Sequence, residues 1–249
     1  MNNKVALVTG AAAGIGAACA KRIAQDGTLI GVLDLDEARC ADTVKAIMAA
    51  GGKAVALGAD VSKREQVQRA VKKCRDALGP ITIVVNNAGV TDFTPFEKVT
   101  DDLWQFVYQV NVLGTFIVTQ EVLPDMKAAK WGRIVNISSS SAQTGTNSMA
   151  TYSSSKGAIV TLTRSLAQEL GPYGITVNNV APGSIMGTIM SEANRERFQF
   201  SPDQLVNSLP VRRLGEPGDL ANAVAWLCQE STSYFTGQTV GVNGGRVVS

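Results

Sequence analysis

The segment TYSSSKGAIV, residues 151–160, places Tyr152 and Lys156 four positions apart in a stretch that predicts a helix. Side chains four residues apart lie on one face of a helix, one turn from each other. A free tyrosine titrates at about pH 10, and a nearby ammonium group favours its phenolate form. The pair therefore indicates either an exposed polar helix face or a tyrosine that exchanges protons near neutral pH.

The chain contains no histidine among its 249 residues. This composition excludes Ser-His-Asp hydrolysis, Cys-His proteases, zinc sites built on histidine and dehydrogenases with a histidine base. Any proton transfer must use Tyr, Lys, Asp, Glu or Cys. We expect no metal site.

The formal net charge is only +2, which gives no electrostatic basis for binding nucleic acid or an anionic membrane. The cysteines at 19, 40, 74 and 228 lie far apart, which is typical of reduced, structural thiols. The apolar run in MNNKVALVTG is too short for a signal peptide, and we expect no apolar run of membrane-spanning length. We predict a cytoplasmic protein.

The elements that would position Tyr152 and Lys156 follow from two alternating patterns. Short β-branched apolar runs predict strands at 5–9, 29–33, 54–57, 83–86, 133–138, 175–180 and 239–242. Longer patterns predict helices at 14–26, 36–50, 62–78, 101–130, 152–170 and 217–229. Strands that are apolar at nearly every position and alternate with helices indicate a parallel sheet covered on both faces.

We therefore predict an α/β fold in which one domain, residues 1–249, contains a doubly wound parallel sheet of about seven strands. The irregular stretch 183–213 is predicted to be a substrate lid. The sequence SKRE predicts a capping box at the third helix, with Ser62 as N-cap and Glu65 three residues later.

Strand one leads directly into TGAAAGIG, which contains Gly10, Gly14 and Gly16 and opens a helix. Such glycines let the backbone approach a pyrophosphate, which the helix N-terminus attracts. A purely structural turn is the alternative, because the G-x-x-x-G-x-G spacing differs from the usual dinucleotide fingerprint. Its place between the first strand and the first helix favours a dinucleotide site.

Asp34 ends the second strand, where a dinucleotide fold needs an acid for the adenosine ribose hydroxyls. A carboxylate there would repel a 2′-phosphate by roughly 4 kcal/mol at a separation of about 4 Å. No basic residue lies in the glycine loop, and Leu35 rather than arginine follows. We predict NAD rather than NADP. A helix-starting role is the alternative for Asp34, although Asp36 suits that role better.

Two further polar groups follow strands three and four. Asp60 lies in GADVS, and Asn86 to Gly89 form NNAG. Both fall at the carboxyl edge of the predicted sheet, where ligands bind in such folds. A turn or cap role is the alternative for each.

The ordered motifs TGAAAGIG, NNAG, NVLGTF, IVNISS, YSSSK, APG and GQTVGVNGG resemble those of the short-chain dehydrogenase/reductase family, from Val5 to Gly245. The resemblance implies a Rossmann-like fold and a catalytic tetrad of Asn111, Ser139, Tyr152 and Lys156. The cofactor residues that it implies are Gly10, Gly14, Ile15, Gly16, Asp34, Asp60, Val61, Asn87, Ala88, Gly89, Tyr152, Lys156, Pro182, Gly183, Ile185 and Thr188.

By this resemblance, Tyr152 would take the alcohol proton during oxidation and return it during reduction. Ser139 would hold the reacting oxygen, Lys156 would bind the nicotinamide ribose, and Asn111 would anchor a water. An ammonium and a positively charged nicotinamide near Tyr152 would together lower its pKa towards neutrality.

The resemblance is imperfect after strand six. Gly187 stands where the family usually has a threonine for the nicotinamide carboxamide, and Thr188 follows one place later. Either Thr188 substitutes after a local shift or the backbone alone holds that group. Asn243 replaces a common aspartate, which we interpret as structural.

The substrate is the least constrained feature. The lid is apolar, with Ile185, Ile189, Phe198 and Phe200 among its residues, which suggests a neutral or partly hydrophobic substrate. Lid packing and turn formation are the alternatives for these residues. The candidate substrate contacts are Ser141, Gln143, Asn147, Met186 and Met190.

We predict an NAD-dependent oxidoreductase that interconverts a small-molecule secondary alcohol and its ketone. The alternatives are a 3-oxoacyl-thioester reductase, a class that generally uses NADPH, and a non-catalytic protein that only binds NAD. The resemblance also implies a homotetramer whose interfaces use the helices at 101–130 and 152–170.

Overall fold

The computed structural model describes residues 3–188 and 201–248. Within these ranges seven strands form one parallel sheet in the order β3-β2-β1-β4-β5-β6-β7. The strands are β1 (Val5–Thr9), β2 (Leu29–Asp34), β3 (Ala54–Gly58), β4 (Ile81–Asn86), β5 (Gly132–Ile137), β6 (Ile175–Pro182) and β7 (Thr239–Val242). The order reverses between β1 and β4, which places a ligand crevice at the carboxyl ends of those strands.

The central strands are buried along their whole length, as their apolar sequences predict. Every residue of β1, β4, β5 and β6 is buried. Strands β4 and β6 each extend two residues beyond the prediction, because the added residues find hydrogen-bond or strand partners. The N–H of Ile81 donates to the Asp125 carboxylate at 2.8 Å, and Pro182 pairs with Val242 of β7.

Helices cover both faces of the sheet, so the doubly wound α/β fold is confirmed. The described helices are α1 (Gly14–Gln25), α2 (Ala41–Ala49), α3 (Arg64–Leu78), α4 (Asp101–Tyr108), α5 (Gly114–Ala129), α6 (Ser141–Thr144), α7 (Ala150–Leu170), α8 (Pro202–Ser208) and α9 (Pro217–Leu227). One apolar core joins the sheet to α1 and α9, and the other joins it to α3, α5 and α7.

The predicted capping box is wrong. Helix α3 begins at Arg64 after Lys63, which makes no side-chain cap. The Ser62 hydroxyl instead donates to Asp60 Oδ1 at 2.7 Å, because a serine two residues after an aspartate can close a local turn. The predicted helix at 36–50 is divided: Asp36 caps a short 3₁₀ turn, and α2 follows.

The predicted helix at 101–130 contains an irregularity that the sequence did not reveal. A π-helical turn, Gln109–Leu113, joins α4 to α5 and carries Asn111. Such turns occur frequently at functional sites.

The combined helix Asp101–Ala129 bears on our expectation about apolar runs. Its 29 residues are long and apolar enough to cross a membrane, judged by length and composition alone. Its inner side packs against β4 and α3, as a core helix does.

The predicted lid is described only in part. Ile189, Met190, Phe198 and Phe200 lie outside the described residues. The described part contains α8, and Ile185 forms an isolated parallel bridge with Gly215. This bridge ties the segment after β6 to the chain just before α9.

Candidate active site

The glycine loop forms a cradle between β1 and α1. Gly10 and Gly14 have φ angles of +63° and +56°, which favour glycine. A Cβ on Gly16 would overlap the Gly10 carbonyl oxygen, so a larger residue does not fit there. Ala13 supplies no side-chain cap, and the first turn of α1 holds no acidic residue. The helix therefore presents backbone N–H groups and a positive dipole end that suit a pyrophosphate.

The NNAG segment fastens this cradle to the sheet. The side-chain amide of Asn87 donates to the carbonyl oxygens of Thr9 and Gly10 at 2.9 and 3.1 Å. The N–H groups of Asn87 and Ala88 both donate to Thr9 Oγ1 at 3.0 Å. Asn86 is buried and donates to Asn136 and Thr119, so it joins β4 to neighbouring elements.

Asp34 lies beside the cradle, as predicted, and its side chain is only 12% exposed. Its Oδ2 accepts from Ala12 N at 3.2 Å. The structure adds a cation that the sequence interpretation missed, because Arg39 Nη1 lies 3.2 Å from Asp34 Oδ1. The adenosine end of the site therefore contains a charge pair, since the 3₁₀ turn after Asp36 brings Arg39 back towards β2.

Asp60 occupies the turn role that we considered as its alternative. Its Oδ1 accepts from the Ser62 N–H and hydroxyl at 2.9 and 2.7 Å. Val61 is buried, and a Cβ on Gly114 would lie 2.6 Å from its Cγ2, so it packs against the start of α5. These residues line the carboxyl edge of β3.

The segment after β6 forms the opposite side of the cleft. A Cβ built on Gly14 would lie 3.5 Å from the Cβ of Thr188, so Thr188 faces the glycine cradle. The N–H of Gly183 donates to Val242 O at 3.1 Å, which continues the sheet contact of Pro182. Asn243 is buried and hydrogen-bonded to the backbone of Gly245 and Val247, which confirms its structural role.

The predicted catalytic residues come together between the glycine cradle and α7. Tyr152 and Lys156 are 8% and 5% exposed, so they do not form an exposed polar helix face. The Tyr152 side chain is hydrogen-bonded to Ser139. Lys156 Nζ lies 5.7 Å from the Tyr152 ring centroid and donates to Ile137 O at 2.9 Å.

Asn111 completes the cluster through the π-helical turn. Its Oδ1 accepts from Val90 N at 2.8 Å, and its Nδ2 donates to Ser155 Oγ at 2.9 Å. A Cβ on Gly89 would lie 3.1 Å from Asn111 Oδ1 and 3.3 Å from Lys156 Nζ. The bare backbone of Gly89 therefore lets Asn111 and Lys156 approach the same point.

Burial shifts the pKa values of both Tyr152 and Lys156. Burial raises the pKa of Tyr152 above 10.0, and the hydrogen bond with Ser139 only partly opposes this rise. Burial also lowers the pKa of Lys156 from 10.5 to about 8. In the protein alone, burial is therefore the dominant influence on the pKa of Tyr152.

Residues 4–198 match the family described as short chain dehydrogenase. The chain belongs to the short-chain dehydrogenase family. It is an oxidoreductase of that family, and the glycine cradle, Asp34 and the Tyr152 cluster fit a nicotinamide nucleotide, NAD or NADP.

Three relatives of this short-chain dehydrogenase match it over nearly its whole length. Subunit BbsD of a hydroxy(phenyl)methylsuccinyl-CoA dehydrogenase from Thauera aromatica is 39% identical, covering 99% of this chain and 97% of its own. The 3-oxoacyl-(acyl-carrier-protein) reductase FabG of Aquifex aeolicus is 36% identical, covering 98% of each chain. A crystal structure from Sinorhizobium meliloti 1021, described as a short-chain alcohol dehydrogenase, superposes with a TM-score of 0.93 at 30% identity, covering 99% and 97%.

The candidate substrate contacts of this short-chain dehydrogenase differ in their surroundings. Ser141 is buried, and its hydroxyl donates to Ser139 Oγ at 2.9 Å, so it supports a member of the tetrad. Gln143 and Asn147 are exposed on and after α6. Met186 is half-buried and donates its N–H to Gly215 O at 2.9 Å. Met190 lies outside the described residues.

Sequence reasoning missed three residues of the short-chain dehydrogenase site. Ser155 accepts from Asn111 Nδ2, and its own hydroxyl donates to the backbone carbonyl oxygen of Tyr152 at 2.7 Å. Asp92 contacts the backbone of Tyr152, and Arg39 pairs with Asp34. Ser155 had a local signal, because it lies within YSSSK. Asp92 acts on Tyr152 from 60 residues away, which no local pattern encodes, and Arg39 reaches Asp34 because a 3₁₀ turn follows Asp36.

Proposed function

We propose that this protein transfers hydride between NAD and a secondary alcohol or its ketone, with Tyr152 as the general acid/base. The observation that carries the proposal is the burial of Tyr152 beside Ser139 and Lys156, next to the glycine cradle. A phenol that is buried yet placed at the ligand-binding edge of the sheet is suited to proton transfer.

Each residue of the cluster has a distinct task in the oxidation of an alcohol to a ketone. Tyr152 accepts the hydroxyl proton as the C–H hydride leaves the substrate, and it returns a proton in the reverse reaction. Ser139 holds the reacting oxygen, which limits the charge that develops there. Lys156 binds the ribose, and Asn111 fixes the backbone at Val90 beside Gly89.

A nicotinamide held in this cleft would supply the hydride-transfer chemistry and, when oxidised, a positive charge. A cation close to Tyr152 favours the phenolate, which offsets the rise in pKa that burial causes. We infer that the protein supplies the position of the phenol, while an oxidised cofactor would supply a positive charge that favours the phenolate.

NAD is the nucleotide that Asp34 favours, because its carboxylate would accept hydrogen bonds from both ribose hydroxyls. The nearby Arg39 supports NADP as a second candidate, since an arginine can pair with a 2′-phosphate. We favour NAD because Asp34 is far less exposed than Arg39, at 12% against 45% of the side chain.

The second candidate activity is the reduction of a 3-oxoacyl thioester of CoA or a carrier protein. The relatives FabG and BbsD carry thioester substrates in their names, which supports this activity. A third possibility is a protein that only binds NAD; the presence of all four tetrad residues in one cluster opposes it.

We further propose a cytoplasmic homotetramer. Three large apolar side chains on the long helix Asp101–Ala129 are exposed, namely Phe106, Leu113 and Phe116 at 53%, 41% and 42%. Burying them against a second copy would stabilise an assembly. The four unpaired, buried cysteines support a reducing compartment. Sedimentation of the parent as a monomer, or of Phe116→Glu as an unchanged tetramer, would contradict this assembly.

The experiment for the activity follows nicotinamide absorbance with NAD or NADP. The substrates are 2,3-butanediol, other secondary alcohols and, for the reductive direction, acetoacetyl-CoA. Tyr152→Phe is expected to lose turnover while it still binds NADH, because only the phenolic oxygen is removed. Tyr173→Phe changes an exposed tyrosine in the 3₁₀ turn after α7 and serves as the matched control.

The outcomes separate the candidate functions. Turnover of an alcohol with NAD supports the proposal if Tyr152→Phe abolishes it. Preferred reduction of acetoacetyl-CoA with NADPH would favour the thioester activity. Tight NADH binding without turnover of any substrate in the panel would favour a binding protein.

A further inference from the structure

The loop after NNAG carries an aspartate, Asp92, that is buried against the catalytic helix. Asp92 is 7% exposed, and its Oδ1 accepts from the backbone N–H of Tyr152 at 3.2 Å. A second bond fastens the same segments, because Thr94 N donates to Ser148 O at 2.7 Å. The loop that follows Gly89 is thus tied to the start of α7 at two points.

The bond to Tyr152 fills a need of the helix end. The first N–H groups of an α-helix have no partner within the helix. Helix α7 begins at Ala150, which makes Tyr152 its third residue, and Met149 supplies no side-chain cap. A carboxylate 60 residues earlier in the chain therefore provides the cap, and it does so at the proposed catalytic residue itself.

This arrangement is costly, which argues against a merely structural cap. Asp92 Oδ2 is buried and has no hydrogen-bond partner in the part of the chain that the structure describes. Burial accordingly raises the pKa of the Asp92 carboxyl, although its bond to Tyr152 N lowers it. Buried polar atoms are usually satisfied, and exceptions concentrate at functional sites.

We propose that Asp92 is a positioning residue for Tyr152. By fixing the Tyr152 N–H, it fixes the backbone from which the phenol extends, and so holds the hydroxyl in line with Ser139. The hydrogen bonds from Tyr152 N and Thr94 N also couple that position to the loop carrying Gly89. This inference rests on the proposed proton-transfer role of Tyr152.

The test compares two replacements that have the same branched skeleton of four heavy atoms as aspartate. Asp92→Asn keeps a carbonyl oxygen for the Tyr152 N–H, whereas Asp92→Leu removes it. Asp125→Leu is the matched control, because Asp125 also accepts a backbone N–H, from Ile81 at 2.8 Å, at the opposite end of the sheet. We measure kcat and KM with 2,3-butanediol and NAD, or acetoacetyl-CoA and NADPH, whichever pair turns over, together with NADH binding and thermal unfolding.

We expect Asp92→Leu to lower kcat by about 10- to 100-fold, because small displacements of a catalytic group cost that much. Binding of NADH should change by less than about twofold, since the glycine cradle is untouched. Asp92→Asn should keep kcat within about threefold of the parent, because its amide oxygen replaces Oδ1. Asp125→Leu should lower the unfolding temperature and leave kcat unchanged.

Parent-like kcat in Asp92→Leu would overturn the inference, as would an Asp92→Asn variant as slow as Asp92→Leu. If Asp92→Leu does not fold, Asp92→Ser replaces it, since its shorter side chain cannot reach the N–H and adds no apolar bulk. Full turnover by Tyr152→Phe would refute the proposed function itself. Loss of turnover in Tyr152→Phe with parent-like Asp92→Leu would refute only the role of Asp92.

Discussion

Replacing Asp34 by asparagine should change which nicotinamide nucleotide the protein uses. In the structure Asp34 Oδ2 accepts from Ala12 N at 3.2 Å, and Oδ1 accepts from Leu35 N at 2.9 Å. An asparagine side chain keeps one carbonyl oxygen for the Ala12 N–H, so it preserves the connection to the glycine loop. What it removes is the negative charge beside the adenosine ribose.

The magnitude follows from the two charges at this end of the cleft. A carboxylate about 4 Å from a 2′-phosphate costs roughly 4 kcal/mol at an effective dielectric constant of 20. Arg39 lies 3.2 Å from Asp34 Oδ1 and offsets part of that repulsion. Its side chain is 45% exposed, so water and salt weaken its contribution. We expect a net gain for NADP of about 1–3 kcal/mol, which is roughly 5- to 150-fold in kcat/KM.

The assay compares kcat/KM for NAD and NADP in the parent, Asp34→Asn and Arg39→Leu. Arg39→Leu should lower the use of NADP and leave that of NAD nearly unchanged. Arg22→Leu is the control, because Arg22 also pairs with an aspartate, Asp26, but at the C-terminal end of α1. The reasoning is refuted if the parent already prefers NADP, or if Asp34→Asn does not raise kcat/KM for NADP.

Two other substitutions test the interior of the site. Ser155→Ala should lower the free energy of unfolding, measured in urea, by about 1–3 kcal/mol and should also reduce kcat. The reason is that Asn111 Nδ2 then keeps only Val90 O as a partner. An unchanged free energy of unfolding together with an unchanged kcat would contradict this prediction. Because the folded-state pKa of Lys156 is lowered to about 8, the folded protein binds fewer protons than the unfolded chain above that pH. The stability of the parent relative to Lys156→Met should therefore rise with pH from about 8 towards 10.5, by at most about 1.4 kcal/mol per pH unit; a pH-independent difference in urea unfolding would show that burial does not perturb Lys156.

The parts of the site that local spacing determines could be predicted from the sequence. Tyr152 and Lys156 lie four residues apart on one helix, so their placement on the same face of that helix could be predicted without tertiary information. Gly10, Gly14 and Gly16 follow a strand and open a helix, which identified the cradle for the same reason. The doubly wound sheet followed from the alternation of strands and helices.

The remaining features depend on contacts between distant segments. Asp92 and Tyr152 are 60 residues apart, and Asn111 and Ser155 are 44 apart, so no window of sequence contains both partners. The rise in the pKa of Tyr152 that burial causes was not predicted, because its sequence neighbours show charge but not burial. Arg39 was overlooked because a 3₁₀ turn, rather than a regular helix from Asp36, sets the direction in which it points.

The π-helical turn at Gln109–Leu113 also limits how this protein can change by gain or loss of residues. A π-helical turn closes i→i+5 rather than i→i+4 hydrogen bonds, so it holds one residue more than the α-helical winding that it replaces. Deleting one residue here would restore that winding and leave Val107, now fully buried, on the inward side. Asn111 would lose the turn that brings its side chain to Ser155. The fold would therefore tolerate such a deletion better than the site would, and the extra residue serves the site rather than the core.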